Sequence, residues 1–505
     1  MNTFMNGLAK ATNVKVTENG AVAHKSTLSA VYDMFALGGA YRSRTPEETI
    51  HLFEKALNEN TSLAMKCLFY LRDIRGGQGE REFFRICFKW LANNYPEVAQ
   101  RNLIQVPEFG RWDDLVYATL GTPIEEDAID IIATQLSEDI DSYNAGYGVS
   151  LLAKWLPSEN ATSAKTKAAA RRVRNAFGLT SKEYRKTLST LRGHLKVLEK
   201  LMSEGRWDEI EFDKIPSKAG LIYKNAFARR DLIAEKYAEF AKSDKTTVNA
   251  RALYPYEVVS RALNQASCWG FDRGNAGMSE TDRAMINKYW ENLPDYFDGK
   301  PAKMLAVVDT SGSMTCSNKG MRPIDVAISL GLYCAERNTG DFAGKYISFA
   351  SRPQLIDTTG KDLVEKARRI YATNLVDNTD LIAVFDMLLQ VAKNADKEDI
   401  PETIAIISDM EIDQGCSDWR TAYDKDQAVT DMEIVRRKWA EAGLKMPRLV
   451  YWNVAARNDT ILDLGPDVSL VSGASAITFE MVMTGKTGKD LMYDKLLSER
   501  YENIE

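Results

Sequence analysis

From the N-terminus to about residue 297, apolar residues return at helical spacing, i, i+3, i+4 and i+7, between polar turns. The segments "PEETIHLFEKALNEN", "TSLAMKCLFYLRDI", "EREFFRICFKWLANNY" and "SKEYRKTLSTLRGHLKVLEKLMSEG" predict amphipathic helices, and Thr45-Pro46 and Thr180-Ser181 mark two of their starts. Hardly a strand is expected in this half. Many short amphipathic helices joined by polar turns predict stacked helix pairs, an all-α solenoid or a curved relative of one, over residues 1–297. A faint echo runs through it: "GRWDDL" at Gly110–Leu115 returns as "GRWDEI" at Gly205–Ile210, with Trp112 and Trp207 read as packing residues. The loop "RDIRGGQGERE" lacks the Lys-Ser/Thr ending of a phosphate-binding loop and follows no strand, so it reads as a helix–helix turn.

The period changes after Pro301. Apolar strands "KMLAVVD", "KYISFA", "ETIAIISD", "RLVYWNV" and "DVSLVSG" alternate with helical stretches near 322–338, 361–371, 380–395, 429–442 and 474–484. Such alternation predicts a doubly wound parallel sheet over residues 298–505, and a fold class of α plus α/β for the chain. Ligands of such sheets bind at the carboxyl ends of the strands, where strand order reverses. Asp309 and Asp409 each follow a strand, and "VDNTDL" at Val376–Leu381 opens a helix between them.

The first of these acids lies in "LAVVDTSGSM", a buried strand running straight into an acid, two serines and a glycine. Three readings compete there. A strand end with local side-chain-to-backbone bonds needs only Asp, Ser and Gly. An aspartic-protease dyad would use the Asp-Thr, but a second Asp-Thr-Gly lobe is absent from the chain. A divalent-cation site would gather the carboxylate and hydroxyl oxygens of Asp309, Ser311 and Ser313, which suit a hard ion such as Mg²⁺.

Composition narrows the field. With 45% hydrophobic and 27% charged residues, the 505-residue chain has the makeup of an ordinary soluble protein. Neither a secretory h-region nor an 18-residue apolar run occurs, so a cytoplasmic protein without membrane contact is expected. The six cysteines, Cys67, Cys87, Cys268, Cys316, Cys334 and Cys416, form no C-x-x-C pair, which predicts reduced thiols and no zinc ribbon. His24, His51 and His194 stand far apart, and neither a P-loop nor a G-x-S-x-G elbow is present, so no enzyme activity is expected. Net charge is −6, yet Lys165 to Arg206 holds twelve Lys and Arg against three Glu. That basic stretch is either a solvated helix face or the footprint of phosphate binding. Its candidate contacts are Lys165, Lys167, Arg171, Arg172, Arg174, Arg185, Lys186, Arg192 and Lys196, with Tyr184 or Phe177 offered as stacking partners for a base.

The C-terminal motif resembles the metal-ion-dependent adhesion site of von Willebrand factor A domains. That family places Asp-x-Ser-x-Ser after its first strand, a Thr opening a later helix and an Asp after a further strand. Asp309, Ser311 and Ser313 match the first element, Thr379 the second (with Thr373 as fallback) and Asp409 the third. Met410 stands where the family usually has Gly. The resemblance implies Mg²⁺ or Mn²⁺ at these five residues, an open position for an acidic side chain of a protein ligand, and binding without turnover. A helical half ahead of an A domain further resembles the Ro autoantigen (TROVE) family and its bacterial, phage and plant relatives, through "VYDMFALGGAYRS", "LAMKCLFYLRDIRGGQGEREFF" and the metal motif. This implies a ring of HEAT-like repeats that binds small non-coding RNA, with no DNA partner. A protein-only scaffold, such as an adaptor for an AAA ATPase complex, is the rival expectation.

Overall fold

In a computed structural model the described residues are 8–9, 12–263, 278–300, 302–315, 320–349, 352–360, 362–373, 379–413 and 430–505. Cys268, Cys316 and Cys416 lie outside them, while Cys67, Cys87 and Cys334 are buried free thiols. The helix starts read from the sequence are physical caps. Thr45 accepts from the backbone N–H of Glu48 while the Glu48 carboxylate reaches back to Thr45, opening the helix Pro46–Glu59. Thr180 and Glu183 do the same for Ser181–His194.

The chain packs as two units: residues 1–64 with 253–498, and residues 65–252 with 499–505. The first contains a six-stranded sheet. Its strands are β3 (Met304–Asp309), β4 (Lys345–Phe349), β5 (Leu355–Asp357), β6 (Thr403–Ser408), β7 (Arg448–Asn453) and β8 (Val468–Ser472), numbered after a hairpin of β1 (Val14–Val16) and β2 (Val22–His24). The order is β5-β4-β3-β6-β7-β8, parallel throughout except for β5, which runs antiparallel at the edge. β5 is a correction to the five-strand expectation: three residues, with Leu355 57% exposed, are too short and too wet to stand out as an apolar run. Every residue of β3, β6 and β8 is buried, as a sheet covered on both faces requires. The helix Pro323–Arg337 packs on β3, β4 and β6.

Cover also comes from residues that precede 298, which is why packing does not follow the 297/298 division read from periodicity. The helix Ala30–Leu37 lies on β8, and Pro255–Ala262 and Glu280–Glu291 pack against the helices 323–337 and 363–373. The Gly-Gly of "MFALGGAYRS" serves this contact. Gly39 N–H donates to Ser472 Oγ at 3.0 Å, and a Cβ on Gly39 would stand 2.9 Å from the Ser472 carbonyl oxygen.

The hairpin β1–β2 corrects the expectation that the N-terminal half holds hardly a strand. "VKVTENGAVAH" alternates around Asn19-Gly20, a pairing that favours a reversal, and Gly20 adopts φ +94°. In the second unit, helices pack in neighbouring pairs, among them Arg81–Asn94 with Trp112–Thr119 and Ser217–Arg229 with Asp231–Lys242. The loop 72–82 is a helix–helix connection. Asp73, fully buried in it, takes Arg500 Nη2 at 2.7 Å and the Tyr501 hydroxyl at 3.0 Å, anchoring residues 499–505.

Candidate metal centre and candidate nucleic-acid interface

β3 and β6 are neighbours at the point where strand order reverses, and their carboxyl ends bring the two acids together. Asp309 Oδ1 accepts from Ser311 N–H at 2.9 Å, and Oδ2 accepts from the Ser408 hydroxyl at 2.6 Å. The local turn read from Asp-Thr-Ser is therefore present, and it presents the serines side by side, Ser311 Oγ and Ser313 Oγ being 3.1 Å apart. Both serines are half-buried, while Asp309 and Asp409 are each 1% exposed. Burial, and next to it the Asp409 charge, pushes the Asp309 carboxyl up to about 7. Asp409 is also raised, first by burial; Arg457, the Glu411 N–H and the Ser313 hydroxyl pull the other way.

One oxygen is left over. Asp409 Oδ1 accepts from Glu411 N–H at 3.1 Å, but Oδ2 is buried without a hydrogen bond. A carboxylate oxygen that accepts no hydrogen bond and faces the Arg457 guanidinium at 3.4 Å, at the sheet end that also carries Asp309 and the two serines, is a fit for a small hard cation with few direct negative ligands. Among the described residues no group of three or more His, Cys, Asp or Glu offers a different metal set.

Thr379 joins this cluster through another residue. Its hydroxyl accepts from Asp413 N–H at 3.2 Å and faces Asp413 Oδ2 at 3.3 Å, and its own N–H donates to that oxygen at 2.6 Å. Asp409 and Asp413 belong to one loop, so Thr379 is tied to the site's frame rather than hydrogen-bonded to Asp309, Ser311 or Ser313. The side chain of Thr373 lies outside the described residues. Met410 keeps the turn that glycine would make: it adopts φ +66°, the left-handed region, with its N–H on Ser408 Oγ at 3.0 Å.

Several residues of this site went unread in the sequence. Ser408 and Asp413 stood within a few positions of Asp409, where a loop closing on itself would find them. Arg457 follows β7 at the same sheet edge, the general signal for a parallel sheet. Its Nη2 lies 3.4 Å from Asp409 Oδ2.

The basic stretch forms the helices Ala164–Ala176 and Ser181–His194. Lys165, Arg171, Arg172, Arg185, Lys186 and Lys196 are exposed, and Lys167 is half-buried. Arg172 pairs with Glu125, Arg174 with Glu159 at 3.1 Å, and Arg185 Nε donates to the Ser181 carbonyl at 3.1 Å. Arg192 is a correction. Its guanidinium donates to the carbonyls of Ala153 (2.7 Å) and Leu156 (2.9 Å) and to Ser158 Oγ (2.8 Å), so it staples the chain at 153–158. Tyr184 is a second correction: 1% exposed, with its hydroxyl on the Pro157 carbonyl at 2.8 Å, it offers no face to a base. Phe177 is half-buried. Trp207 is buried under Arg230, whose guanidinium carbon lies 4.7 Å from the ring centre, in keeping with a packing role.

A helical region ahead of a mostly parallel six-stranded sheet defines the class of this chain, and its two regions match two family models. Residues 17–118 and 150–298 match a domain of unknown function (DUF2828), and residues 303–502 match a second domain of unknown function (DUF7788). The chain belongs to the family of uncharacterized protein L728 of Acanthamoeba polyphaga mimivirus, with which it is 32% identical over 518 residues, 94% of this chain and 85% of that protein. Among solved structures it is similar to the crystal structure of the Deinococcus radiodurans RO (RSR) protein, at TM-score 0.49 and 15% identity, over 93% of this chain and 99% of that one. No helix among the described residues is long and apolar enough to cross a membrane.

Proposed function

We propose that this protein is a non-enzymatic, cytoplasmic scaffold that binds RNA through its helical region and an acidic protein partner through a von Willebrand factor A-like cation site. The observation that carries the second half is the buried, hydrogen-bond-free Asp409 Oδ2 beside Ser311, Ser313 and Asp309 at the sheet's switch point. Ser311, Ser313, Asp309 and Asp409, with Thr379 as the fold-family match, would hold a Mg²⁺ or Mn²⁺ ion there, which would supply a Lewis-acid centre for a partner's carboxylate. So few direct charges leave the ion electrophilic, with room for a partner's carboxylate. Small or structured RNA is the ligand of the exposed cations on the helices 164–176 and 181–194, whose guanidinium groups suit phosphate oxygens.

The ion pairs Arg172–Glu125 and Arg174–Glu159 favour one rival, a scaffold for proteins alone, because they return part of the basic stretch to internal neutrality. Calorimetry with Mg²⁺ or Mn²⁺ tests the cation site: Ser311→Ala with Ser313→Ala abolishes binding in a folded protein, and unchanged affinity removes the assignment. Electrophoretic shift titration at two salt concentrations tests the RNA site. A steep fall of affinity with salt supports it, and binding that ignores salt leaves the protein-only scaffold.

A further inference from the structure

A cation faces the Asp409 oxygen that accepts no hydrogen bond: Arg457, whose geometry is lopsided. Arg457 Nη2 stands 3.1 Å from Glu18 Oε2 but 3.4 Å from Asp409 Oδ2, and Arg457 Nε is buried without a hydrogen bond. A charge-assisted bond to a carboxylate settles at about 2.7–2.9 Å, so Arg457 neutralises Asp409 without closing on it. Glu18 belongs to the hairpin turn and is itself held: Asn458 Nδ2 donates to its Oε1 at 2.9 Å, and its N–H donates to Glu411 Oε2 at 2.9 Å. Around it the turn is stitched to the loop that bears Asp409. Asn19 Nδ2 donates to the Glu411 carbonyl and Thr17 Oγ1 to the Ile412 carbonyl, both at 2.8 Å, and Thr460 Oγ1 donates to Glu411 Oε1 at 2.9 Å. All of these residues lie in one compact unit.

We propose that Arg457 is the site's internal counter-cation, which sets its affinity for a divalent ion, and that Glu18 on the N-terminal hairpin is the seat that receives Arg457 when the ion binds. Two buried carboxylates side by side need a positive charge. Arg457 supplies it at the one oxygen that accepts no hydrogen bond. A divalent ion on Asp409 repels the guanidinium, and 29% exposure of Arg457 together with 52% for Glu18 leaves room for the short shift between the two carboxylates. Arg457 and Glu18 are positioning residues in this reading, since neither contacts the partner's acid. Glu18, within the match to the DUF2828 model, thereby becomes part of a cation site in the DUF7788 region.

The inference rests on the cation reading above, and the test separates the two. Full-length wild type, Arg457→Met, Arg457→Lys, Glu18→Gln and the Ser311→Ala/Ser313→Ala double variant are titrated with Mn²⁺ by calorimetry. Arg457→Met removes a competing charge and binds about tenfold tighter, while Arg457→Lys stays near wild type. Glu18→Gln leaves the guanidinium to Asp409 alone and binds about threefold weaker. In wild type, amide exchange at Glu18–Gly20 slows when Mn²⁺ is added, and in Arg457→Met it does not change. Uptake by Arg457→Met where wild type takes up none also supports the proposal. Wild-type binding with equal or weaker binding by Arg457→Met overturns the inference and keeps the cation site. Should Arg457→Met not fold, unchanged affinity in Glu18→Gln or unchanged exchange at Glu18–Gly20 overturns it instead. No uptake by any folded variant removes both readings.

Discussion

Gly77 has no space for a side chain: a Cβ there would stand 2.0 Å from the Tyr70 carbonyl oxygen, which is backbone and cannot yield. Gly178 faces open space, and only its φ of +65° asks for glycine. Alanine at 77 is therefore expected to lower stability by about 3 kcal/mol or more, and alanine at 178 by about 1 kcal/mol, in urea unfolding. Equal effects would mean that the loop relaxes around the added methyl. Asp33 gives a prediction in pH. Its carboxyl accepts from Thr27 N–H at 2.7 Å, yet burial pushes it up from 3.8 to about 6, with Asp459 and Glu59 adding repulsion. The folded state thus holds the proton more tightly than the unfolded chain. Stability tied to that proton is full below pH 4 and lost as pH rises through 6. Asp33→Asn is expected to stabilise by about 2 kcal/mol at pH 8 and hardly at all at pH 4. A difference independent of pH, measured by denaturant titration at both values, would count against this.

Between the two basic helices, exposure decides what each cation does. Arg192 fastens two carbonyls and a hydroxyl, so Arg192→Ala strands those acceptors and is expected to cost about 2–4 kcal/mol. Arg171→Glu with Lys186→Glu changes exposed side chains and is expected to stay within about 0.5 kcal/mol of wild-type stability per site. If the proposed RNA site lies on these helices, the same double variant is expected to weaken RNA binding and flatten its salt slope. A thermal melt beside a shift titration separates the two roles, and RNA affinity unchanged in the double variant excludes these helices from the interface. Helix periodicity placed these elements well, because it reads burial along one element. It could not foresee that Arg192 turns inward or that Tyr184 is covered, since both depend on residues 153–158 arriving from a separate segment.

At the scale of the whole chain, cover for the sheet is the controlling fact. A fragment of residues 298–498 would lack the helices 30–37, 255–262 and 280–291, and would expose the side of β8 on which the first of them lies. It is expected to aggregate or to melt without cooperativity, whereas a protein keeping 1–64 and 253–498 has the full cover. A sharp calorimetric transition from the short fragment would refute this. Ending the chain at Ser498 is expected to cost the helical unit about 3–5 kcal/mol, because Asp73 stays buried after Arg500 is gone.

Sequence alone determined the elements and the chemistry carried on single strands: the change from helical to strand period near 300, the caps at Thr45 and Thr180, and Asp309, Ser311, Ser313 and Asp409 at strand ends. Those features follow from local rules of spacing, capping and the parallel sheet. Tertiary structure alone decided that Met410 takes the left-handed turn, that Asp413 rather than a serine holds Thr379, and that Arg457 and Glu18 meet at Asp409. It also decided that residues 1–64 pack with the sheet. Apart from the Met410 turn, which closes on Ser408 two residues away, each of these joins positions tens to hundreds of residues apart, and no local period records which distant surface a buried face or an unpaired charge will meet.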